Sequence, residues 1–386
     1  MKLNKLLSLS AVLACGLTLA ACDNGQTTDG TSQGSTTVTP NTVSVNVGLG
    51  YTASFDAAKG QVDLTTAMVA FDEAGKVVSS RIDVIQVVVG NVEGEVEITN
   101  AAAKLREDGM PKTKLELGKD YNMKGTSASI GVIAGGLEVD AQIESFAAWT
   151  KGKTAEQISA SYAMVTKNED GTYSDGRKHS HGGNFTTDEA LWSTCTITVD
   201  GFAKAVANAY ANKSTKAVEV EEGFKVGVAV NANMYDATTL DLDIAGALVK
   251  EGKVAAALTD CVAVQFNNVE GAISLKTDSQ YYDDATSTFK SKKALGDAYN
   301  MAAAINYGPN MDKNSDGVVL EWYVQAALVE AATLGKTAEQ IKVLVKDEGN
   351  ENANAIAQAT MNIDMYVTAI ARAATYAELA LIGPQA

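Results

Sequence analysis

The chain contains nearly the same seven residues twice. Residues 117–123 have the sequence LGKDYNM, and residues 295–301 have the sequence LGDAYNM. The match continues in two further pairs of segments: GKV at 75–77 and 252–254, and GKTAEQI at 152–158 and 335–341. A chain of 386 residues is long enough for two or three ordinary domains. The repeat therefore predicts two homologous domains, at residues 45–218 and 219–386.

Each half begins with a predicted β-hairpin and ends with a predicted helix. Segments rich in Val, Ile, Leu and Thr flank a glycine-containing turn at 72–75 in the first half and at 250–252 in the second. The final helical segments start at Ile197 and Met361. Strands followed by helices favour an α+β fold over a doubly wound sheet. We expect each domain to be a hairpin-led sheet with packed helices.

The N-terminus predicts a secreted protein with a lipid anchor. Lys2 and Lys5 precede the apolar run LLSLSAVLACGLTLA, which is typical of a secretory leader and too short to span a bilayer. LAAC at 19–22 resembles a bacterial lipobox. The resemblance implies that residues 1–22 are a lipoprotein signal peptide, that the thiol of Cys22 receives a diacylglyceryl group, and that the protein is held outside the cytoplasm on the bacterial cell membrane. A plain cleaved leader with an incidental cysteine is the alternative.

The segment that follows predicts a flexible tether. Residues 23–44 are nearly all Gly, Ser, Thr, Asn, Asp and Gln, which cannot bury enough apolar surface to fold. The ends of such a coil would lie roughly 25 Å apart. The net charge of −16 argues against nucleic acid as a partner, because it repels phosphate backbones. The predicted partners are the membrane, reached through the lipid, and a redox partner or small ligand that the sequence does not name.

The order of elements resembles the FMN-binding domain of Rnf- and Nqr-type flavoprotein subunits and of many bacterial lipoproteins. FAAWTKGKT at 146–154 is similar to that family's F-x-GK-S/T segment. STCTIT at 193–198 and AQATMN at 357–362 lie where the family has S-G-A-T-x-T/S. The resemblance implies that Thr196 and Thr360 receive FMN through a phosphoester bond. A phosphate just before a helix would meet unpaired N–H groups and the positive end of the helix dipole.

The two segments also depart from the family motif. Its glycine is replaced by Thr194 in the first half and by Gln358 in the second. Asp200 and Asp364 would place a second anion at the helix start, and we predict them to be N-caps. The resemblance implies either a flavin-carrying electron-transfer protein or a relative that retains only the fold. The alternative is a ligand-binding or adhesive lipoprotein without a redox role, and no catalytic residue is predicted.

Two histidines form a second candidate site. His179 and His181 alternate in the sequence, which would put both on one side of an extended strand as a metal pair. Asp175 or Asp188 would have to supply a third ligand. We predict a solvated loop here instead, and no metal site.

Two further motifs receive structural interpretations. DKNSDG at 312–317 matches the first half of a calcium loop, but Tyr323 stands where the bidentate acid is required, so an Asx-rich turn is predicted. Cys195 and Cys261 fall in different halves, which favours two separate buried residues over a disulfide. The sequence has no Gly-rich phosphate loop and no CxxC pair, so nucleotide-binding and zinc-module functions lack support.

Overall fold

The structure is a computed structural model that describes residues 41–92, 95–100, 102–269, 272–301, 320–344, 356, 359 and 361–379, without the side chains of 91–96 and 268–272. Residues 40–386 form one compact unit. The predicted α+β fold class is confirmed. Cys22, Thr360 and the acidic loop at 312–317 lie outside the described residues, so the predictions for them stay predictions.

The first sheet contains five antiparallel strands. They are β1 (Thr42–Asp56), β2 (Gln61–Phe71), β3 (Val77–Val92), β4 (Glu95–Asn100) and β7 (Val218–Glu221), in the spatial order β4-β3-β2-β1-β7. The predicted hairpin is β2–β3, and Gly75 closes its turn with a φ of 74°. β1 was not predicted as a strand. Gly48 lets it run directly beneath a helix, since a Cβ there would lie 1.9 Å from the carbonyl oxygen of Ala209.

The second sheet contains four antiparallel strands with a similar plan. They are β8 (Lys225–Asp236), β9 (Thr239–Lys250), β10 (Lys253–Val269) and β11 (Ala272–Leu275), in the order β11-β10-β9-β8. The predicted second hairpin is β9–β10. Gly227 on β8 has the same role as Gly48, because a Cβ there would lie 1.9 Å from the carbonyl oxygen of Ala373. Two short hairpins complete the strands: β5 (Tyr162–Val165) with β6 (Gly183–Thr186), and β12 (Tyr282–Asp283) with β13 (Thr288–Phe289).

The helices of the first half are α1 (Lys114–Leu117), α2 (Lys124–Ile130), α3 (Val139–Thr150), α4 (Ala155–Ser159), α5 (Glu189–Trp192) and α6 (Asp200–Ala211). Those described in the second half are α7 (Lys292–Leu295), α8 (Trp322–Thr333), α9 (Ala338–Lys342) and α10 (Asp364–Glu378). In the described part of the chain, no helix has the length and apolar character needed to cross a membrane.

The unit has four layers, with the two sheets in the middle. The inner faces of the sheets share one core, in which Leu64 and Ile85 of the first sheet and Leu242 and Ile244 of the second are fully buried. Helices α3 and α6 cover the outer face of the first sheet, and α8 and α10 cover that of the second. β2 and β9 are therefore buried on both faces, which explains why the second part of each strand, from Ala67 and from Ile244, is apolar without alternation.

The heptads form the same structure in both halves. A 3-10 turn is followed by a left-handed asparagine, Asn122 in one copy and Asn300 in the other, with φ values of 61° and 65°. The tyrosine and methionine of each heptad pack against the outer core of their own half. Each heptad is thus a turn whose Tyr and Met pack against the core.

Other local contacts recur as well. Thr154 and Thr337 each form a capping box at the start of a short helix, α4 and α9. Gln142 on α3 donates to the carbonyl of Leu137 at 3.1 Å, and Gln325 on α8 donates to that of Leu320 at 2.8 Å. Residues shared by the two halves thus hold backbone groups in place.

The predicted N-caps are wrong. Val199 and Ile363 occupy the N-cap positions, without a side-chain capping bond, and Asp200 and Asp364 are the first helical residues. The positive end of the helix dipole still stabilises a carboxylate in the first turn. Asp200 also forms an ion pair with Lys204, one turn further along, at 3.1 Å.

Candidate functional site

The predicted FMN acceptor Thr196 lies in the segment between α5 and α6, four residues before α6 begins. Its backbone N–H and its hydroxyl both donate to Oε1 of Gln142, at 2.8 and 3.2 Å. The residue is 2% exposed. A phosphoester on this hydroxyl would therefore require the segment to move away from Gln142. The attachment of flavin at Thr196 stays a prediction.

The two histidines do not form a pair. His179 is buried against Tyr173, Phe185 and Trp192, and its Nε2 lies 2.9 Å from a carboxylate oxygen of Asp175. His181 is exposed and outside any strand. The prediction of a solvated loop is wrong for His179, because the aromatic side chains around it provide a small core of their own that the spacing of the histidines does not reveal.

Cys195 and Cys261 are both buried free thiols. Cys195 belongs to the outer core of the first half and Cys261 to that of the second. Burial raises the pKa of Cys195 to about 12 and that of Cys261 well above its usual value. Cys195 is therefore a structural residue rather than a nucleophile.

The two halves meet at two places that have matching geometry. We call the first the charged junction; it consists of Arg106, Glu116, Asn231, Arg372 and Tyr376. Arg372 and Tyr376, on α10, both hydrogen bond to Glu116 of α1. Arg106 lies 3.6 Å from the same carboxylate and donates to Oδ1 of Asn231 on β8 at 3.1 Å. The side chains form a buried ion network between the halves, and beside Glu116 and Tyr376 they leave a wide, open depression of about 590 Å³.

The second place, which we call the junction cleft, has a volume of about 410 Å³. It is lined by β1 and α6 of the first half and by β10, β13 and α7 of the second: Leu49, Tyr51, Thr52, Ala53, Asn208, Asn212, Leu258, Thr259, Asp260, Thr288, Phe289, Ser291, Lys293 and Ala294. The hydroxyl of Tyr51 crosses between the halves, donating to the carbonyl of Phe289 at 3.2 Å and accepting from the N–H of Ser291 at 2.7 Å.

The two junctions match position by position. Asn208 and Arg372 stand at the same place in α6 and α10, and each donates to a strand carbonyl, that of Tyr51 on β1 at 2.7 Å and that of Val230 on β8 at 3.2 Å. Ala294 is the third residue of α7, where α1 has Glu116. Smaller side chains at these matched positions leave the cleft open.

The charged groups also have different partners at the two junctions. Burial alone would raise the pKa of Glu116, but the positive charges of Arg372 and Arg106 outweigh it and hold the pKa below its usual value. In the cleft, the ammonium of Lys293 is already paired with Glu330 at 3.1 Å. Burial raises the pKa of Asp260, whose carboxylate accepts from the backbone N–H of Lys293 at 3.0 Å. The charged groups of the cleft are thus engaged with the protein itself.

The cleft was not predicted from the sequence. The repeat is visible at positions where the two halves agree, whereas the residues that open the cleft stand at positions where they differ, such as Asn208 against Arg372 and Ala294 against Glu116. Aligning the final helices and then reading the differences would have drawn attention to them.

No family model, no curated protein and no solved structure matches this chain.

Proposed function

We propose that the chain is an extracytoplasmic lipoprotein that binds a small polar ligand in the junction cleft and is anchored through a lipid on Cys22 and a tether that ends before β1, which begins at Thr42 rather than after residue 44. The observation that carries the proposal is the contrast between the junctions: the charged junction holds a buried ion network beside a wide, open depression, whereas the matching place keeps a more enclosed cleft of about 410 Å³. Ligand sites commonly lie at interfaces between domains.

We also propose that the two halves are homologous domains that arose by duplication, with the bounds predicted at 45 and 218 moved to include all of β1 and β7 in the first half. The recurring capping boxes at Thr154 and Thr337 and the recurring close approach at Gly48 and Gly227 support this. A duplicated pair has two equivalent junctions, and only one of them needs to hold the halves together. The other is available for a ligand.

The lining of the cleft favours an uncharged ligand that carries hydroxyl or amide groups, of the kind a sugar presents. Its polar groups are amides and hydroxyls, from Asn208, Asn212, Thr52 and Thr288, and Phe289 and Leu49 add apolar surface. A strongly anionic ligand would find no unpaired cation in this lining, since Lys293 is paired with Glu330, and the carboxylate of Asp260 accepts from the backbone N–H groups of Cys261 and Lys293.

Thermal unfolding in the presence of a panel of monosaccharides, disaccharides and free amino acids tests the proposal. We expect at least one compound to raise the Tm of the wild-type protein, because binding to the native state stabilises it by mass action. The double variant Asn208→Arg/Ala294→Glu copies the charged junction into the cleft and should lose this response. Lys59→Ala, on an exposed residue far from the cleft lining, is the control that should keep it. The proposal fails if no compound shifts the Tm or if the double variant responds as the wild type does.

The covalent flavin is a separate proposal that rests on the resemblance to FMN-binding domains. The intact mass of protein produced with a flavin transferase should show one FMN for each acceptor, at Thr196 and Thr360. Thr196→Ala should remove more of this mass than Thr360→Ala, because only the first segment keeps the acceptor-x-Thr pattern. Wild-type protein without FMN would end the electron-transfer proposal and would leave the cleft proposal untouched.

A further inference from the structure

A buried group of charged residues lies in the second half, away from the lining of the junction cleft. Asp241 and Asp243 alternate on β9, so their side chains lie on the same face of the strand. Lys292, the first residue of α7, donates from Nζ to Oδ2 of Asp241 at 2.8 Å. Asp241 is 6% exposed, Asp243 2% and Lys292 7%. An amine and a carboxyl are thus held in contact with water excluded.

The group has unsatisfied oxygen atoms. Oδ1 of Asp241 and Oδ1 of Asp243 are buried and have no hydrogen-bond partner among the described residues. Carboxylate oxygens of the two residues and Sγ of Cys261 lie within 4.8 Å of one another. Two carboxylates next to one ammonium leave an excess negative charge in a buried place, which is costly unless one carboxyl keeps its proton.

Asp243 is the carboxyl that keeps it. Burial, reinforced by the neighbouring charge of Asp241, raises the pKa of Asp243 to about 7, although Lys292 and hydrogen bonds from Cys261 and Tyr366 act against the rise. A carboxyl with such a pKa can both give and accept a proton near neutral pH.

We propose that Lys292 and Asp241 form an intramolecular amide cross-link, with Asp243 as the group that moves the proton during its formation. The three side chains supply an amine, a carboxyl and an acid within one buried cluster, as the reaction requires. The cross-link would tie β9 to α7, two elements that are otherwise joined here by an ion pair.

The reaction balances without any added reagent. Burial lowers the pKa of Lys292, but the neighbouring Cys261 and Asp241 outweigh it and raise the pKa, so the amine starts out protonated and first passes a proton to Asp241 along their hydrogen bond. This transfer is uphill, because the same neighbours favour the charged amine. Nζ then attacks Cγ of Asp241, and an N–Cγ bond forms. Asp243, which starts protonated, gives its proton to a hydroxyl on Cγ, which leaves as water, and its carboxylate then takes a proton from the nitrogen. Asp243 ends in the protonation state in which it began, and nothing is oxidised or reduced.

The first half provides an internal control. Asp63 occupies the position on β2 that corresponds to Asp241 on β9, and Lys114 is the first residue of α1, as Lys292 is of α7. Asp63, however, accepts from Nε2 of Gln61 at 2.7 Å, and Thr65 stands where the second half has Asp243. With the acid replaced and the carboxyl otherwise engaged, we expect no cross-link in the first half.

Mass spectrometry of tryptic peptides from the denatured full-length protein tests the proposal. An unmodified chain releases residues 226–250 as a single peptide that contains Asp241. In the cross-linked protein, this peptide carries residues 291–293, because trypsin does not cleave after an amidated lysine, and the joined mass is lower than the sum of its parts by one water. Lys292→Arg keeps the positive charge but has no primary amine, so its digest should contain peptide 226–250 alone.

Two further variants separate the roles. Asp243→Asn should abolish the joined peptide or slow its appearance after synthesis by at least tenfold, whereas the control Asp63→Asn should form it as the wild type does. The digest is made on unfolded protein, so the wild-type result decides the matter even if a variant folds poorly. Unjoined peptide 226–250 in the wild type would mean an ion pair only, or a bound metal ion if the native mass shows one, and either result overturns the cross-link. A joined peptide that forms at the same rate in Asp243→Asn overturns the part assigned to Asp243.

Discussion

The charged junction and the junction cleft occupy matching places in the two halves, yet one holds a buried ion network beside an open depression and the other holds a more enclosed cleft. The strand and helix that frame them are the same, down to the carbonyl that each helix residue contacts: Asn208 bonds to that of Tyr51, and Arg372 to that of Val230. The difference lies in the side chains alone. Backbone geometry therefore sets where the halves contact each other. A few side-chain differences decide whether the contact is an ion network or a cleft.

The two junctions therefore differ in which side chains hold the halves together. The charged junction gathers the buried charge of Glu116 and the two arginines that neutralise it, so its contacts depend on one another. The cleft relies on Tyr51 and on backbone groups, which leaves amide and hydroxyl side chains unneeded for cohesion. The predictions below would break the comparison if the two places behave alike.

The largest effect is expected for Arg372→Ala. It leaves the carboxylate of Glu116, whose side chain is 9% exposed, with the more distant Arg106 as its cationic partner. Removing one partner of a buried pair costs about 3–5 kcal/mol of unfolding free energy. The matched change in the other junction, Asn208→Ala, removes a neutral hydrogen bond and should cost only about 0.5–1.5 kcal/mol. Urea unfolding of both variants measures the difference, and equal losses would show that the junctions are equivalent in energy.

The next effect is a pH dependence from Asp83, which accepts from the backbone N–H of Leu115 at the start of α1. Burial raises the pKa of Asp83 to about 7. An acid whose pKa is higher in the folded than in the unfolded chain contributes stability below its unfolded pKa and loses that contribution as the pH rises. The loss should run from about pH 4 to about pH 7 and amount to about 2–4 kcal/mol.

Asp83→Asn isolates this contribution. The variant cannot ionise, so its unfolding free energy should fall less than that of the wild type between pH 4 and pH 8. Asp260, which has the same role for α7, serves as the comparison: its pKa is also raised by burial, and Asp260→Asn should flatten the profile in the same direction. Variants with the slope of the wild type would mean that both carboxyls are charged in the folded protein across this range.

The sequence predicts some of these features and not others. The hairpins β2–β3 and β9–β10 and the heptad turns were predictable because local signals, a glycine at the turn and apolar β-branched segments, coincide with the fold. β1 and β8 were missed because their glycines, Gly48 and Gly227, weaken a strand signal while meeting a need that only the packed helix creates. The junctions could not be predicted from local signals, since they bring together residues more than 150 positions apart. Only the tertiary arrangement makes Asn208 and Lys293 neighbours of one cleft.

A smaller effect is expected for Tyr51→Phe. The change removes the acceptor of the N–H of Ser291, a residue that is 1% exposed. Leaving a buried donor unsatisfied costs about 1–3 kcal/mol. Tyr376→Phe is the matched change in the charged junction and should cost less, because Glu116 keeps its contacts with Arg372 and Arg106. Chemical unfolding ranks the two variants, and the reverse order would show that Tyr51 does not hold the halves together at the cleft.

The smallest effect is expected for a contact that is identical in the two halves. Thr154 and Thr337 form the same capping box, accepting from the N–H of Gln157 at 3.4 Å and of Gln340 at 3.3 Å. Both begin helices of five residues that lie in the sequence GKTAEQI. Replacing an N-cap threonine with alanine costs about 0.5–2 kcal/mol, so Thr154→Ala and Thr337→Ala should each lower the unfolding free energy by about 1 kcal/mol. Because the two sites share no partner, the double variant should lose the sum to within about 0.5 kcal/mol. Unequal single losses would mean that identical local contacts have different weights in the two halves, and the contrast between the junctions could then no longer be assigned to Asn208, Arg372, Ala294 and Glu116 alone.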